Sequence, residues 1–167
     1  SMHHMRIRRS RGFSGFGGKG SAVLIDSLTF ALERSGCLET FWGKLDAGED
    51  AALGVANSAR PFLVAARFAH RPQATLAVVA GEEAALTFAQ QMAAYLGDDR
   101  VLRFPERADS PFSAKPVDPS AIARRMAAAH ALASGREVVV VASARALLRT
   151  LAPVDEGVFL PISLTAG

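Results

Sequence analysis

The sequence contains a single cysteine, Cys37, among its 167 residues. An internal disulfide is therefore excluded, and a reducing compartment such as the cytoplasm is the predicted location. No apolar run is long enough to cross a bilayer, and the amino terminus lacks the apolar core of a secretory signal. No histidine or asparagine near Cys37 supports a nucleophile, so we interpret it as a small residue near a helix end.

Acidic residues are absent from residues 1–21. This leader carries five basic side chains, at Arg6, Arg8, Arg9, Arg11 and Lys19. The chain has 19 basic and 16 acidic residues in all, so removing these five leaves 14 basic residues and a net charge of −2. The body of the protein is therefore close to neutral, and the high isoelectric point belongs to the leader.

The leader interleaves Phe13 and Phe16 with arginines and glycines. Such a composition can bind nucleic acid, because cations contact phosphates and aromatic rings stack on bases. The start Ser-Met-His-His-Met, however, resembles a cloning remnant. We therefore favour a tag or a disordered arm over nucleic-acid contact by the four leader arginines. The two adjacent histidines are too few to close a metal coordination shell, and no metal site is predicted.

Beyond the leader, apolar strands alternate with helices. The predicted elements are a helix from Ala22 that ends at Gly36 or near Gly43, strand Ala51–Ala56, helix Ala59–His70, strand Thr75–Ala80, helix Glu82–Leu96, strand Arg100–Phe104, a helix from Pro119 to Ser134, strand Glu137–Ala142 and helix Ala144–Leu151. Continuous apolar strands between helices are typical of a parallel sheet covered on both faces. The predicted fold is a three-layer α/β sandwich with a mostly parallel sheet, Rossmann-like or P-loop-like.

Helix starts carry recognisable signals. Asn57 or Ser58 can cap the helix that follows, Asp118 precedes a proline at the first helical position, and Ser143 precedes the last helix. In the helix after Asp118, the side chains predicted to face inward are Ile122, Met126 and Ala129. Arginines predicted to form solvated helix faces, rather than phosphate contacts, are Arg124, Arg125, Arg145 and Arg149.

The turn from Gly54 to Pro61 stands where a phosphate-binding loop would stand. A working loop reads G-x-x-x-x-G-K-[ST] between a strand and a helix, with backbone N–H groups, a lysine and a hydroxyl around phosphate and Mg²⁺. Here Gly54 is kept, but Ala59 replaces the second glycine, Arg60 the lysine and Pro61 the hydroxyl residue. The sequence therefore predicts a nucleotide-binding domain that has lost its nucleotide.

Each replacement removes one part of the binding chemistry. Ala59 adds a Cβ where backbone must approach phosphate, and the planar fork of Arg60 does not replace a compact ammonium. Pro61 removes both a hydroxyl and a backbone donor. The predicted inactive remnant comprises Gly54, Asn57, Ser58, Ala59, Arg60 and Pro61. Weak anion binding at the helix start and an ordinary strand–helix turn stay open as alternatives.

Signals for other nucleotide chemistry are missing. No G-x-G-x-x-G follows any predicted strand, and no acid–base pair stands beside such a loop, which disfavours a Rossmann-type nucleotide or nucleotide-sugar enzyme. Glu82 and Glu83 open a helix, where carboxylates complement the helix dipole, so a structural role is favoured over a catalytic one. A small nucleic-acid-binding protein acting through the leader is the remaining alternative.

Three segments together resemble a known family. The turn Gly54-Val-Ala-Asn-Ser-Ala-Arg-Pro-Phe62 is similar to a degenerate G-x-x-G-S-A-R loop. Val101-Leu-Arg-Phe-Pro105 followed by Ser110-Pro-Phe112 is similar to an FP-(D/E)-W-E-x-LPY segment, although the tryptophan is missing. Val138–Leu148 resembles a V-V-V-x-P-V-R-A-L-L strand and helix. In this order they resemble the first domain of bacterial transcription-repair coupling factors (Mfd), itself similar to the first domain of the excision-repair protein UvrB.

The resemblance implies that the chain is part of a large, multidomain DNA-repair protein. The family is an ATP-dependent DNA translocase of helicase superfamily 2 that releases stalled RNA polymerase and recruits UvrA. Its partners would be UvrA, RNA polymerase, double-stranded DNA and the following module, with ATP and Mg²⁺ confined to the motor. Residues 22–153 would form a scaffold domain without catalytic residues, cofactor or membrane contact. Residues 154–167 would begin the following module, so that the chain is expected to be a fragment.

Overall fold

Three parallel strands form the centre of the protein in the computed structural model, which describes residues 27, 29–30, 34, 36, 38–107 and 118–148. The strands are β1 (Thr75–Val79), β2 (Val101–Phe104) and β3 (Val139–Ser143). They lie in the order β1-β3-β2, and Thr75 and Val101 both pair with Val139. The three strands therefore start level, and their carboxyl ends meet at one edge of the sheet.

Five helices are described from Leu38 onward. They are α1 (Glu39–Asp46), α2 (Arg60–His70), α3 (Glu82–Leu96), α4 (Pro119–Ala133) and α5 (Ala144–Leu147), with short 3₁₀ turns at Asn57–Ala59 and Asp98–Arg100. The predicted helices and strands at residues 59–104 and 119–147 are thus confirmed, except at their ends. The described residues between 27 and 34 are also helical, but the limits of that helix lie outside the described residues. Gly43 lies within α1, so it does not end a helix.

Strand β3 carries the core. All five of its residues are buried, because helices cover both of its faces. Val139 and Val141 pack against α2 and α3 on one face, through Ala65, Phe68 and Met92 among others. On the other face, β3 and β2 pack against α4, through residues that include Val140, Ala142, Phe104 and Ala128. The described chain is therefore a mixed α/β protein with helices on both sides of a parallel sheet.

Strand β1 is only half-buried, which corrects the prediction of a fully buried strand. Its residues alternate between intermediate and exposed positions, with Leu76 43% and Val78 51% exposed. These two side chains share a face with Val140 and Ala142 of β3. On that face, the described core cluster joins α4 to β2 and β3 and contains no residue of β1.

The prediction of a strand at Ala51–Ala56 is wrong. These residues take no part in the sheet, which the described chain builds from β1, β2 and β3 alone. Leu53 and Val55 instead line a cavity beside α1 and α2. The apolar run is short, and Leu53 and Val55 border a cavity rather than pairing with a neighbouring strand.

Two of the three cap predictions are confirmed. Asp118 Oδ1 accepts a hydrogen bond from the Ser120 N–H at 2.9 Å, and Ser143 Oγ accepts one from the Ala146 N–H at 3.0 Å. Ile122 does not face inward, since it is 45% exposed, whereas Met126 and Ala129 do join the core. The buried residues of α4 begin only at Arg125, nearly two turns into the helix. Within the described residues, no helix has the length and apolar character needed to span a bilayer.

Replacing Val140 by alanine is expected to destabilise the protein by roughly 2 kcal/mol, because a fully buried side chain is truncated in a packed core. The matched control is Val78→Ala, on the same face of the sheet but half-exposed, which should cost less than about 0.5 kcal/mol. Urea unfolding measures both changes. Equal losses for the two variants would contradict the placement of the core around β3.

Candidate functional site

The turn before α2 differs from a phosphate cradle in its backbone. Asn57–Ala59 form a single 3₁₀ turn, and the helix begins at Arg60 with Ala59 as its cap residue and no side-chain cap hydrogen bond. The prediction that Asn57 or Ser58 caps this helix is therefore wrong. Pro61 lies in the first helical turn, as predicted, where a missing N–H leaves no intrahelical bond unmade.

The conformation of the turn does not require a glycine at Gly54. Its φ is not positive, and a Cβ built on it would meet no atom within 4 Å. In a working loop, glycine is needed where the backbone takes a positive φ or is closely approached, and the protein itself imposes neither condition at Gly54. The described backbone therefore favours an ordinary helix entry at Gly54–Pro61. The strand that a phosphate-binding loop needs before it is missing from Ala51–Ala56.

The predicted remnant residues only partly converge. Asn57, Arg60 and Pro61 line a cavity of about 1210 Å³, whereas Gly54, Ser58 and Ala59 do not. Pro61 is buried, Ala59 is half-buried, and the other four residues are exposed. Three of the six residues therefore contribute to one concave surface, in which the only charge they supply is that of Arg60.

This surface, which we call the α1–α2 cavity, lies between α1, residues 53–57, α2, β1 and the first turns of α3. Its wall is largely apolar, with Trp42, Phe68 and Phe88 among its larger side chains. Its charged residues are Arg60, Arg67, Arg71 and Glu83. At its far end it reaches Val79 and Ala80, at the carboxyl end of β1.

A shared carboxylate ties α1 to α2 at the wall of this cavity. Asp46 Oδ1 accepts hydrogen bonds from Arg67 Nη2 at 2.6 Å and from Arg71 Nη1 at 2.7 Å. These two guanidinium groups hold the pKa of Asp46 below its ordinary value, the Arg67 hydrogen bond contributing most. Trp42 and His70 add a ring contact between the same helices, with centroids 5.6 Å apart. Two positive charges share one negative charge here, so the cluster keeps a net charge of +1.

Two arginines of the cavity retain unused hydrogen-bonding capacity. Arg67 Nη1 is buried and has no hydrogen-bond partner in the described part of the chain. Arg60 is exposed, and no ion pair involves it among the described residues. A buried N–H group without an acceptor is costly, so an acceptor supplied from outside would be stabilising. The phosphate-loop pattern points to Arg60 but not to Arg67, because an arginine within an apolar helix carries no motif of its own.

A second polar cluster lies at the carboxyl edge of the sheet. Arg103 of β2 forms an ion pair and a hydrogen bond with Glu82, and the Glu106 N–H donates to Glu82 Oε2 at 3.1 Å. Ser143 Oγ donates to Glu106 Oε1 at 2.6 Å while it caps α5. Glu82 thus links α3 to β2, which agrees with a structural role.

The carboxyl edge is where open α/β sheets bind ligands. In this protein Glu82, Glu83 and Glu106 place three carboxylates near it, against Arg103. Ser143 is fully buried and its hydroxyl both donates and accepts, so it is not available to a ligand. Arg125 also reaches this edge, where its Nη1 donates to the Pro105 carbonyl, and Glu82 and Glu106 are engaged by Arg103 and Ser143. The polar side chains of this edge are therefore largely bonded to one another.

The prediction that Arg125 lies on a solvated helix face is wrong. It is 7% exposed, its Nη1 donates to the Pro105 carbonyl at 2.7 Å, and its guanidinium lies 3.9 Å from the Phe104 ring centroid. Arg124 and Arg145 are exposed, in agreement with the prediction. The signal for Arg125 was available, because it precedes the buried Ala128 and Ala129 at helical spacing of three and four residues.

Several predicted features lie outside the described residues. They are the leader with Arg6, Arg8, Arg9 and Arg11, together with Cys37, Arg149 and residues 154–167. Among the residues that are described, no group of three or more histidine, cysteine, aspartate or glutamate side chains is arranged to hold a metal ion.

Comparisons of the chain with family models, with curated proteins and with solved structures find no match. Inference about function therefore depends on the residues of this chain and on their geometry.

The Asp46 bridge predicts a specific pH dependence. Because the pKa of Asp46 is lowered from 3.8 in the folded protein, its stabilising contribution is present above that value and is lost as the pH falls through the lower folded pKa. Asp46→Asn should be less stable than the wild type above about pH 5, and the difference should shrink below pH 3.8. Urea unfolding followed by the emission of Trp42, the single tryptophan, measures it.

The control for this prediction is Asp50→Asn, which removes an equal charge at an exposed position without an ion pair among the described residues. It should leave stability nearly unchanged at every pH. A pH-independent loss in Asp46→Asn would show that the loss comes from packing rather than from the shared charge.

Proposed function

We propose that this chain is a non-catalytic scaffold domain of a transcription-repair coupling factor, with a fold related to the first domain of UvrB. In this proposal the parent protein is an ATP-dependent DNA translocase that releases stalled RNA polymerase and recruits UvrA for nucleotide excision repair. The ATP, the Mg²⁺ and the contact with double-stranded DNA belong to other modules of the parent. This domain supplies packing surfaces to the module that follows it.

The buried Pro61 at the start of α2 is the observation that carries the proposal. A nucleotide-binding helix needs a hydroxyl for Mg²⁺ and free N–H donors at this point, and a buried proline ring supplies neither. At the carboxyl edge of the sheet, Glu82 and Glu106 bind Arg103 and Ser143, so these side chains hold elements of the domain together. Both features favour a domain with a packing role over one that hydrolyses a nucleotide.

The positions of the three family-like segments support the same proposal. The Gly54–Pro61 turn enters α2, Val101–Pro105 covers β2 and its exit, and Val138–Leu148 covers β3 and α5. Two of the segments therefore contain strands of the sheet, and the third leads into a helix that packs on the sheet. The half-exposed apolar face at Leu76 and Val78 is also typical of a domain that packs against another module.

A Rossmann-type nucleotide-binding enzyme is the second candidate. One observation favours it: the α1–α2 cavity reaches Ala80, at the carboxyl end of β1, where such enzymes bind their cofactors. Glu83 lines the same end of the cavity and opposes a pyrophosphate there. Nucleotide binding therefore separates the two candidates directly.

Titration of this chain with Mg²⁺-ATP by calorimetry is expected to give no binding tighter than about 100 μM, close to −5.5 kcal/mol. Tighter binding would overturn the scaffold proposal in favour of the enzyme. A companion variant combines Ala59→Gly, Arg60→Lys and Pro61→Thr. Gained ATP binding in this variant would identify the turn as a disabled phosphate loop, and unchanged behaviour would identify it as an ordinary helix entry.

The repair role is tested in the source cell by disrupting the gene that encodes this chain. We expect ultraviolet photoproducts to leave the transcribed strand no faster than the other strand, because polymerase release and UvrA recruitment are lost. Strand-specific lesion mapping over time measures the effect, with the intact gene restored as the control. Preferential repair of the transcribed strand in the disrupted cells would refute the role.

A further inference from the structure

We propose that the α1–α2 cavity is a docking groove for an acidic amphipathic segment of a partner protein. The groove is defined by its lining residues from α1, residues 53–57, α2, β1 and α3. This inference goes beyond the scaffold role, because it assigns a surface and a partner chemistry that neither the family-like segments nor the turn before α2 indicates.

The size of the cavity favours a polypeptide over a small molecule. Small-molecule sites typically enclose roughly 300–1,000 Å³, whereas this cavity measures about 1210 Å³. It is bounded on several sides by helices and by the edge strand β1. An amphipathic helix bound in such a groove buries side chains at i, i+3, i+4 and i+7, and Trp42, Leu53, Val64 and Phe88 offer it an apolar floor.

The charges of the groove select an acidic partner. Arg60, Arg67 and Arg71 line it, Asp46 pairs with Arg67 and Arg71, and Glu83 is the one carboxylate among the described lining residues. Asp46 Oδ1 accepts hydrogen bonds from both Arg67 and Arg71. Arg60 has no counter-ion among the described residues. A glutamate or aspartate of the partner would complement this excess positive charge.

Arg67 adds an independent indication of an absent acceptor. Its Nη2 donates to Asp46, but its buried Nη1 finds no acceptor in the part of the chain that is described. A carboxylate accepts two parallel hydrogen bonds from one guanidinium more readily than any other side chain. A carboxylate is therefore the partner group that this unpaired donor favours.

The experiment uses the chain itself and a labelled helical peptide with leucine at i, i+3, i+4 and i+7 and glutamate on its polar face. We expect saturable binding by fluorescence anisotropy, weakened by salt, together with a change in the emission of Trp42, which lines the groove as the only tryptophan. A peptide with lysine in place of every glutamate should bind at least about tenfold more weakly.

Two variants and two matched controls locate the binding. Arg60→Glu and Leu53→Asn alter exposed groove residues and should each weaken acidic-peptide binding, Arg60→Glu by about tenfold. Arg136→Glu repeats the charge change at an exposed arginine outside the groove. Leu86→Asn repeats the apolar change at a leucine that is 40% exposed, against 38% for Leu53. Both controls should bind as the wild type does.

Three results would overturn the proposal. One is the absence of acidic-peptide binding, another is equal binding of the acidic and basic peptides, and the third is binding that neither groove variant weakens. Dodecanoate is added as a small-molecule probe. If dodecanoate changes Trp42 emission while the acidic peptide does not bind, the groove is a small-ligand site instead. These readouts are independent of ATP binding and of strand-specific repair, so failure here leaves the scaffold proposal standing.

Discussion

The burial of β3 on both of its faces is the constraint on which the rest of the structure depends. Five consecutive residues without exposed surface must find apolar partners above and below, and the chain supplies them from α2 and α3 on one side and α4 on the other. Because β1 and β2 pair with β3 from opposite sides, their positions are fixed by the same strand. The level start of all three strands then brings Glu82, Arg103, Glu106 and Ser143 together at one edge.

The position of β3 also explains why the two faces of the sheet differ in coverage. Helices α2 and α3 extend over β1 on one face, where Ala77 and Val79 join the core. On the opposite face α4 covers β2 and β3, and Leu76 and Val78 of β1 stay half-exposed. Exposed aliphatic residues on an edge strand are unfavourable in an isolated domain. The asymmetry is consistent with a domain whose packing extends beyond the described residues.

Most of the fold could be predicted from local sequence signals. The apolar run at Val138–Ala142, the acidic pair after Gly81 and the cap residues Asp118 and Ser143 each act within a few residues, so sequence alone locates their elements. Ala51–Ala56 could not be assigned in this way. A short apolar run can form a buried strand or an irregular segment that packs beside helices. Only tertiary contacts decide which of the two forms. The exposure of β1 is likewise decided by how far α4 reaches.

The candidate site was less predictable, because its chemistry depends on residues far apart in sequence. Arg67 and Arg71 gain their role from Asp46, which lies 21 and 25 residues earlier. The sequence drew attention to Arg60 through its resemblance to a phosphate loop, yet the structure separates Gly54, Ser58 and Ala59 from the cavity that Arg60 lines. The positive charge at the start of α2 is therefore not part of a cavity lined by the whole predicted loop. It lies instead beside a wide and largely apolar surface, and this combination suits the proposed acidic amphipathic helix better than a nucleotide.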